Sequence, residues 1–306
     1  MNKIKKILCS FILIFSFVVT GFALVGCKNS GSKIYVKNVY AMGMVSAVNY
    51  FESSTKVSTM SLDNSIVNES TKNTIKQYTE MFEGLLNSGI HPTESDVSVD
   101  DKEYGNFSKK ITLTVENQNY TMYYNEVVEG TKQEIDEDEI ETKTTSFLYG
   151  IAIKKGETDS VVLNVIGSRE IEVETEKGVT ETDSELKLLF STEKLIATDT
   201  DSFDDVDLQK INSYLLIEQE VEDKEIEFEY TTKENGQTKS VEIEWENKKG
   251  KEELEIKIVE NSTKTKYKIK KSDDNKYVVK QNKKVLFYVE KENGSWKVVD
   301  TEGKEI

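Results

Sequence analysis

The sequence predicts an α+β fold, with an N-terminal helical pair packed on a long twisted antiparallel β-meander. Three observations carry that prediction. Apolar residues recur with a helical period up to about residue 90, and the period becomes two after Asn106. Short Asn-, Asp- and Gly-rich turns then recur at roughly 10–14-residue intervals through the last third, the signature of hairpins. About ten to twelve strands are expected; a sheet of that size curls, here into a half-barrel, or splits into two sheets.

The elements follow in order. The first helix is expected over about 37–54, where Val39, Met42, Val45, Ala47, Val48 and Phe51 are apolar and Ala41, Gly43 and Ser46 keep one side slim. The second is expected over about 68–86, with Ile75, Tyr78, Phe82, Leu85 and Leu86 on one face. Ser70 is its candidate N-cap and Gly89 its C′ residue. Strands are read at Ile111–Val115, Tyr120–Val128, Phe147–Ile153, Val161–Val173, Leu186–Phe190 and Leu195–Ala197. Further strands surround the turns at Asn235-Gly236, Lys249-Gly250, Asn261-Ser262, Asp273-Asp274-Asn275, Asn282-Lys283 and Asn293-Gly294. Residues 34–106 thus form a helical part and 107–306 the meander, packed as one domain or split near 200.

The first 27 residues carry a separate message. Lys3, Lys5 and Lys6 precede an apolar run from Ile7 to Val19, and the segment closes on Leu24-Val25-Gly26-Cys27. This resembles the leader and lipobox of bacterial lipoproteins. The resemblance implies that residues 1–26 are a signal peptide cut before Cys27. It further implies that the Cys27 thiol carries a diacylglycerol, with palmitate-type chains, and that the protein is held on the extracytoplasmic side of the cell membrane. Two chains anchor stably, since each buried methylene contributes ~0.8 kcal/mol. Lys28 to Lys33 would be a polar tether reaching at most ~20 Å.

Composition excludes some classes. Cleavage takes three lysines from 40 basic residues, leaving 37 against 56 acidic ones, a formal charge of −19. That excess repels nucleic acid and anionic surfaces. Cys9 leaves with the leader and Cys27 is acylated, so no disulfide, thiolate metal site or cysteine nucleophile is expected. No nucleophile motif, phosphate loop or paired-histidine zinc helix is present, and neither enzymatic activity nor a cofactor is expected.

Three clusters remain. Glu134 to Glu141 reads as an acidic, solvated loop between hairpins. Asp199, Asp201, Asp204, Asp205 and Asp207 are weak calcium candidates, although Phe203 and Asp204 occupy positions where an EF-hand requires oxygen and glycine. The same stretch reads as a turn followed by a short helical segment near 207–213. Tyr120, Tyr123, Tyr124, Phe147 and Tyr149 are read as core aromatics. His91, the only histidine, sits beside Pro92 in a loop. The functional expectation is a non-enzymatic cell-envelope interaction module that meets another envelope protein. The alternative is a carrier holding an apolar ligand or lipid between the sheet and the helices.

Overall fold

The computed structural model describes residues 36–54, 71–79 except 74 and 77, and 91–306 except 99–101, 196–201 and several stretches of one to four residues. Cys27, the leader, Ser70 and Gly89 lie outside the described residues.

Among the described residues fourteen strands form one antiparallel sheet in which spatial order equals chain order, β1 at one edge and β14 at the other. They are β1 (Thr93–Asp96), β2 (Lys109–Val115), β3 (Gln118–Ile135), β4 (Glu139–Lys155), β5 (Ser160–Glu176), β6 (Val179–Ser191) and β7 (Tyr214–Glu222). The second half holds β8 (Glu225–Glu234), β9 (Gln237–Lys248), β10 (Lys251–Glu260), β11 (Thr263–Asp273), β12 (Lys276–Gln281), β13 (Lys284–Glu292) and β14 (Ser295–Val299). The expected meander is therefore present with two more strands than the upper expectation, and in one sheet.

The turn chemistry works as the sequence suggests. Asn282 and Lys283, between β12 and β13, have φ of 51° and 67°, the paired left-handed values of the tight hairpin turn that matches strand twist. Two local readings fail. Leu195 is not in a strand, and β7 lies just after the stretch read as helical near 207–213. Alternating Leu215, Ile217 and Gln219 supplied a strand pattern there, but the preceding aspartates dominated the reading.

The first helix, α1 (Val36–Ser54), has the expected bounds. Asn38, Val39, Tyr40, Ala41, Met42 and Met44 are all buried. Consecutive helical residues point in every direction, so the first turns of α1 are surrounded rather than laid on a flat wall. Gly43 explains the close seat: a Cβ there would lie 3.1 Å from Ile217 Cδ1 and 3.3 Å from the Phe190 ring. Of the second expected helix, residues 71–73, 75, 76, 78 and 79 are helical. Ile75 is fully buried, and the Tyr78 ring lies 4.8 Å from that of Tyr230 on β8.

One face of the sheet, here called the inner wall, joins α1 in a continuous apolar core from Ile111 on β2 to Val298 on β14. The register aligns Trp245, Leu254 and Ile269, then Val279, Phe287 and their neighbours, on that one side. A second, smaller core lies on the outer wall of β4–β7, where Phe147, Ile166, Leu189 and Leu216 meet Phe203, Val206 and Leu208 of the β6–β7 connection. Among the described residues no helix is long and apolar enough to cross a membrane.

Candidate interaction surface

Alternation places charged residues on the outer wall, and register decides which of them face each other. Glu170, Glu185, Glu220, Glu227, Glu244 and Glu255 are directly opposed, each to the next, across six adjacent strands from β5 to β10. Like charges directly opposite on a sheet are destabilising, so a row of six is a cost the core must offset. A parallel row holds Glu218, Glu229 and Glu242, bounded by Lys187 on β6 and Lys257 on β10. Two depressions open on this wall. One of about 150 Å³ is lined by Glu170, Glu172, Asp183, Glu185 and Glu220; one of about 250 Å³ is lined by Glu185, Glu218, Glu220, Glu227 and Glu229.

Lysines pair with several glutamates of the stripe. Lys143 pairs with Glu170, Lys187 with Glu185 at 2.8 Å, and Lys257 with Glu244 at 3.2 Å. Glu255 is only 8% exposed at its side chain, ringed by Lys257, Lys266 and Lys268. Beyond it the sign reverses: Lys268 and Lys270 hold the Glu253 carboxylate at 2.9 and 2.8 Å and lower its pKa to about 2. Within the stripe, desolvation raises the Glu218 carboxyl above its usual range despite the opposing pull of Lys187. Further out on β4 and β5, the charge of Glu172 raises Glu141 and that of Glu139 raises Glu174.

The aspartate-rich connection is docked, not merely solvated. Phe203 to Asp205 form a 3₁₀ turn, with Ser202 N–H donating to Asp205 Oδ2 at 3.3 Å and Phe203 anchored in the outer core. Asp207 accepts from Gln209 N–H at 3.1 Å and pairs with Lys210 at 3.0 Å, which holds its carboxyl below the usual range. Asp204 and Asp205 are exposed on the same turn. Asp199 and Asp201 lie outside the described residues. Phe203, which broke the calcium-loop pattern in the sequence, is thus the residue that ties the segment down.

The inner wall hides a polar group that sequence reasoning missed. Arg169, the only arginine, places Nη2 2.5 Å from Glu126 Oε1, with side-chain exposures of 18% and 12%. Tyr124 donates its hydroxyl to Glu94 at 2.5 Å, and the Tyr40 ring of α1 meets Tyr124 edge-on at 5.5 Å. Burial, with the Glu126 charge second, raises the Tyr40 hydroxyl far above its usual range, so it stays neutral. The lone arginine was the available signal.

Other expected positions scatter. The aromatic set divides: Tyr120 and Tyr124 face the inner core, Phe147 and Tyr149 the outer one, and Tyr123 stacks on Tyr104 at 4.4 Å. His91 is exposed beside buried Pro92. The Glu134 to Glu141 segment is not a free loop; Glu134 and Ile135 end β3, and Glu139 to Glu141 begin β4. Period-2 alternation continues through those acids, but their density masked it. Comparison with family models, with curated proteins and with solved structures finds no match.

Proposed function

We propose that this chain is a membrane-anchored extracytoplasmic lipoprotein that acts as a non-enzymatic interaction module, with the glutamate stripe of its outer wall meeting a basic surface of a cell-envelope protein. The observation that carries this reading is the six-glutamate row running from Glu170 to Glu255. A cost to stability of this kind is offset when a partner of opposite sign covers it, and such a surface steers a basic partner over distances of a Debye length. The lipobox ending at Cys27 supports the anchored, extracytoplasmic setting. The helical pair is part of the same proposal; the burial of α1 in the sheet's core and the helical residues between 71 and 79 support it.

The carrier alternative needs an accessible apolar inner wall. Ile243, Ile256, Ile269, Val279 and Val289 on that wall are each 0% exposed, which favours a filled core and the interaction reading. The test is cross-linking in intact cells with the full chain and a variant carrying Glu185→Lys, Glu220→Lys and Glu227→Lys. A partner seen at low salt, lost at ~0.5 M salt and lost in the variant supports the proposal. The same cross-links in both chains at both salts would sink it, and co-purified lipid would revive the carrier.

A further inference from the structure

Four strands run well past their neighbours. β2 pairs only with Gln118–Tyr124 of β3, and β7 only with Ser184–Phe190 of β6. The ends of β3, β4, β5 and β6 therefore form a projecting ribbon with two open edges among the described residues. On the β3 side every residue from Val128 to Asp136 is exposed. A register shift between Val128 and Gly130 marks a bulge there, leaving a straight free edge from Gly130 to Ile135.

Proteins protect such edges because unpaired backbone groups recruit another strand. The two ends of this sheet are protected. β1 is four residues long, and the C-terminal residues fold back on β14, where Val299 bridges Glu305 and Ile306 N–H donates to Val298 O at 3.1 Å. Among the described residues the β3 edge has no such cover, and it exposes Ile135 at 61% with Ile140 beside it at 44%.

Two charged rows of the outer wall end at this edge, with opposite signs. One runs Glu134, Glu141, Glu174, Glu181 and ends in acid. The other begins Lys132, Lys143, two lysines directly opposed, and Lys143 already pairs with Glu170. Among the described residues neither Lys132 nor Glu134 forms an ion pair. An antiparallel copy of the same edge supplies a partner to both at once if Gln133 faces Gln133: Lys132 then stands opposite Glu134 of the second copy, and Glu134 opposite its Lys132. That pairing is two-fold symmetric and closes on itself. The open edge of β6, residues 179–183, offers Glu181 and Asp183 alone on its outer side, so copies joined there would set acid against acid.

We propose that the free edge of β3 is a self-association edge, where two copies of this chain pair antiparallel about Gln133 and continue the ribbon as one sheet. Backbone hydrogen bonds hold the pair and the Lys132–Glu134 crossings set its register. Five residue pairs, residues 131–135 of each copy, make a small interface, so association is weak in dilute solution and rises with local concentration. The inference needs neither the anchor nor the glutamate stripe, and it stands apart from the function proposed above.

The test uses the full chain in detergent solution, followed by sedimentation velocity over a concentration series. Lys132→Glu and Glu134→Lys should each weaken dimerisation at least about tenfold, and the double swap should restore it, because the crossing is then rebuilt with signs exchanged. Gln133→Cys should form a disulfide-linked dimer under mild oxidation that the parent chain does not form. A monomer at all concentrations with no Gln133→Cys dimer overturns the proposal. So does a dimer indifferent to all three charge variants. Cross-linking of Gln133→Cys to a different protein, with the chain monomeric, also overturns it and assigns the edge to another extended segment.

Discussion

Arg169 holds its guanidinium 2.5 Å from the Glu126 carboxylate on the inner wall, under the first turns of α1. Tyr40 leans over the same spot, its hydroxyl and Arg169 Nε both buried without a hydrogen-bond partner among the described residues. A mostly buried ion pair is costly to form and costlier to halve. Arg169→Met should destabilise the protein by about 3 kcal/mol, since Glu126 is left charged and alone. Arg169→Met with Glu126→Leu should recover most of that loss. Urea unfolding midpoints of the two variants decide it; equal losses would mean the carboxylate finds water when the arginine goes.

The outer wall should respond to pH in two directions. Glu141, Glu174 and Glu218 have raised carboxyl pKa values, so their contribution is fully present below the ordinary value of ~4.3 and is lost as pH rises through the raised ones. Glu253, held near 2 by Lys268 and Lys270, contributes above ~4.3 and loses that contribution as pH falls toward 2. Thermal stability at low salt should therefore rise on mild acidification from neutrality and fall again in strong acid. Added salt should flatten the part of the first limb owed to Glu141 and Glu174, which neighbouring carboxylates raise, more than the part owed to Glu218, which desolvation raises. A profile flat between neutrality and pH ~5 at low salt would mean the opposed glutamates cost nothing measurable.

Lys283 sits in the left-handed region at φ 67°, where a side chain costs about 1–2 kcal/mol. Lys283→Gly removes that strain against a smaller loss of chain entropy, so a gain of about 0.5–1 kcal/mol is expected. Asn282→Gly should gain less, since asparagine tolerates this region better. Melting temperatures of both variants check the order.

Phe203→Ala should release the β6–β7 connection from the outer core while leaving the inner core intact. The expected signature is faster proteolytic cleavage within residues 202–213, with a stability loss of about 2 kcal/mol, below that of a fully buried phenylalanine. Unchanged cleavage would assign the docking to Val206 and Leu208.

Much of this architecture was legible because the meander is local. Alternating Ile226, Phe228 and Tyr230, then Val241, Ile243 and Trp245, separated by Asn235-Gly236, specify strands, faces and a hairpin together. α1 was legible through its slim Ala41, Gly43 and Ser46 positions. β7 was lost because Asp204, Asp205 and Asp207 imitate a helix start, and only Phe203 resting on another strand reveals their purpose. The glutamate row was half legible. Glu225, Glu227 and Glu229 show which side is charged, but which glutamate opposes which depends on accumulated register across six strands, where one bulge would change every pairing. Arg169 and Glu126 lie 43 positions apart, and no local pattern joins them.

Strand order equal to chain order has a kinetic consequence. Apart from β2, reached through residues 97–108, and β7, reached through 192–213, each new strand finds its partner one short turn back, so loop-closure entropy enters sheet growth little, and the edge just completed templates the next addition. Topologies with strands swapped in order must hold unpaired edges open while the missing segment is awaited. Here a chain delivered N-terminus first presents α1 before any wall exists, then winds that wall around it one hairpin at a time.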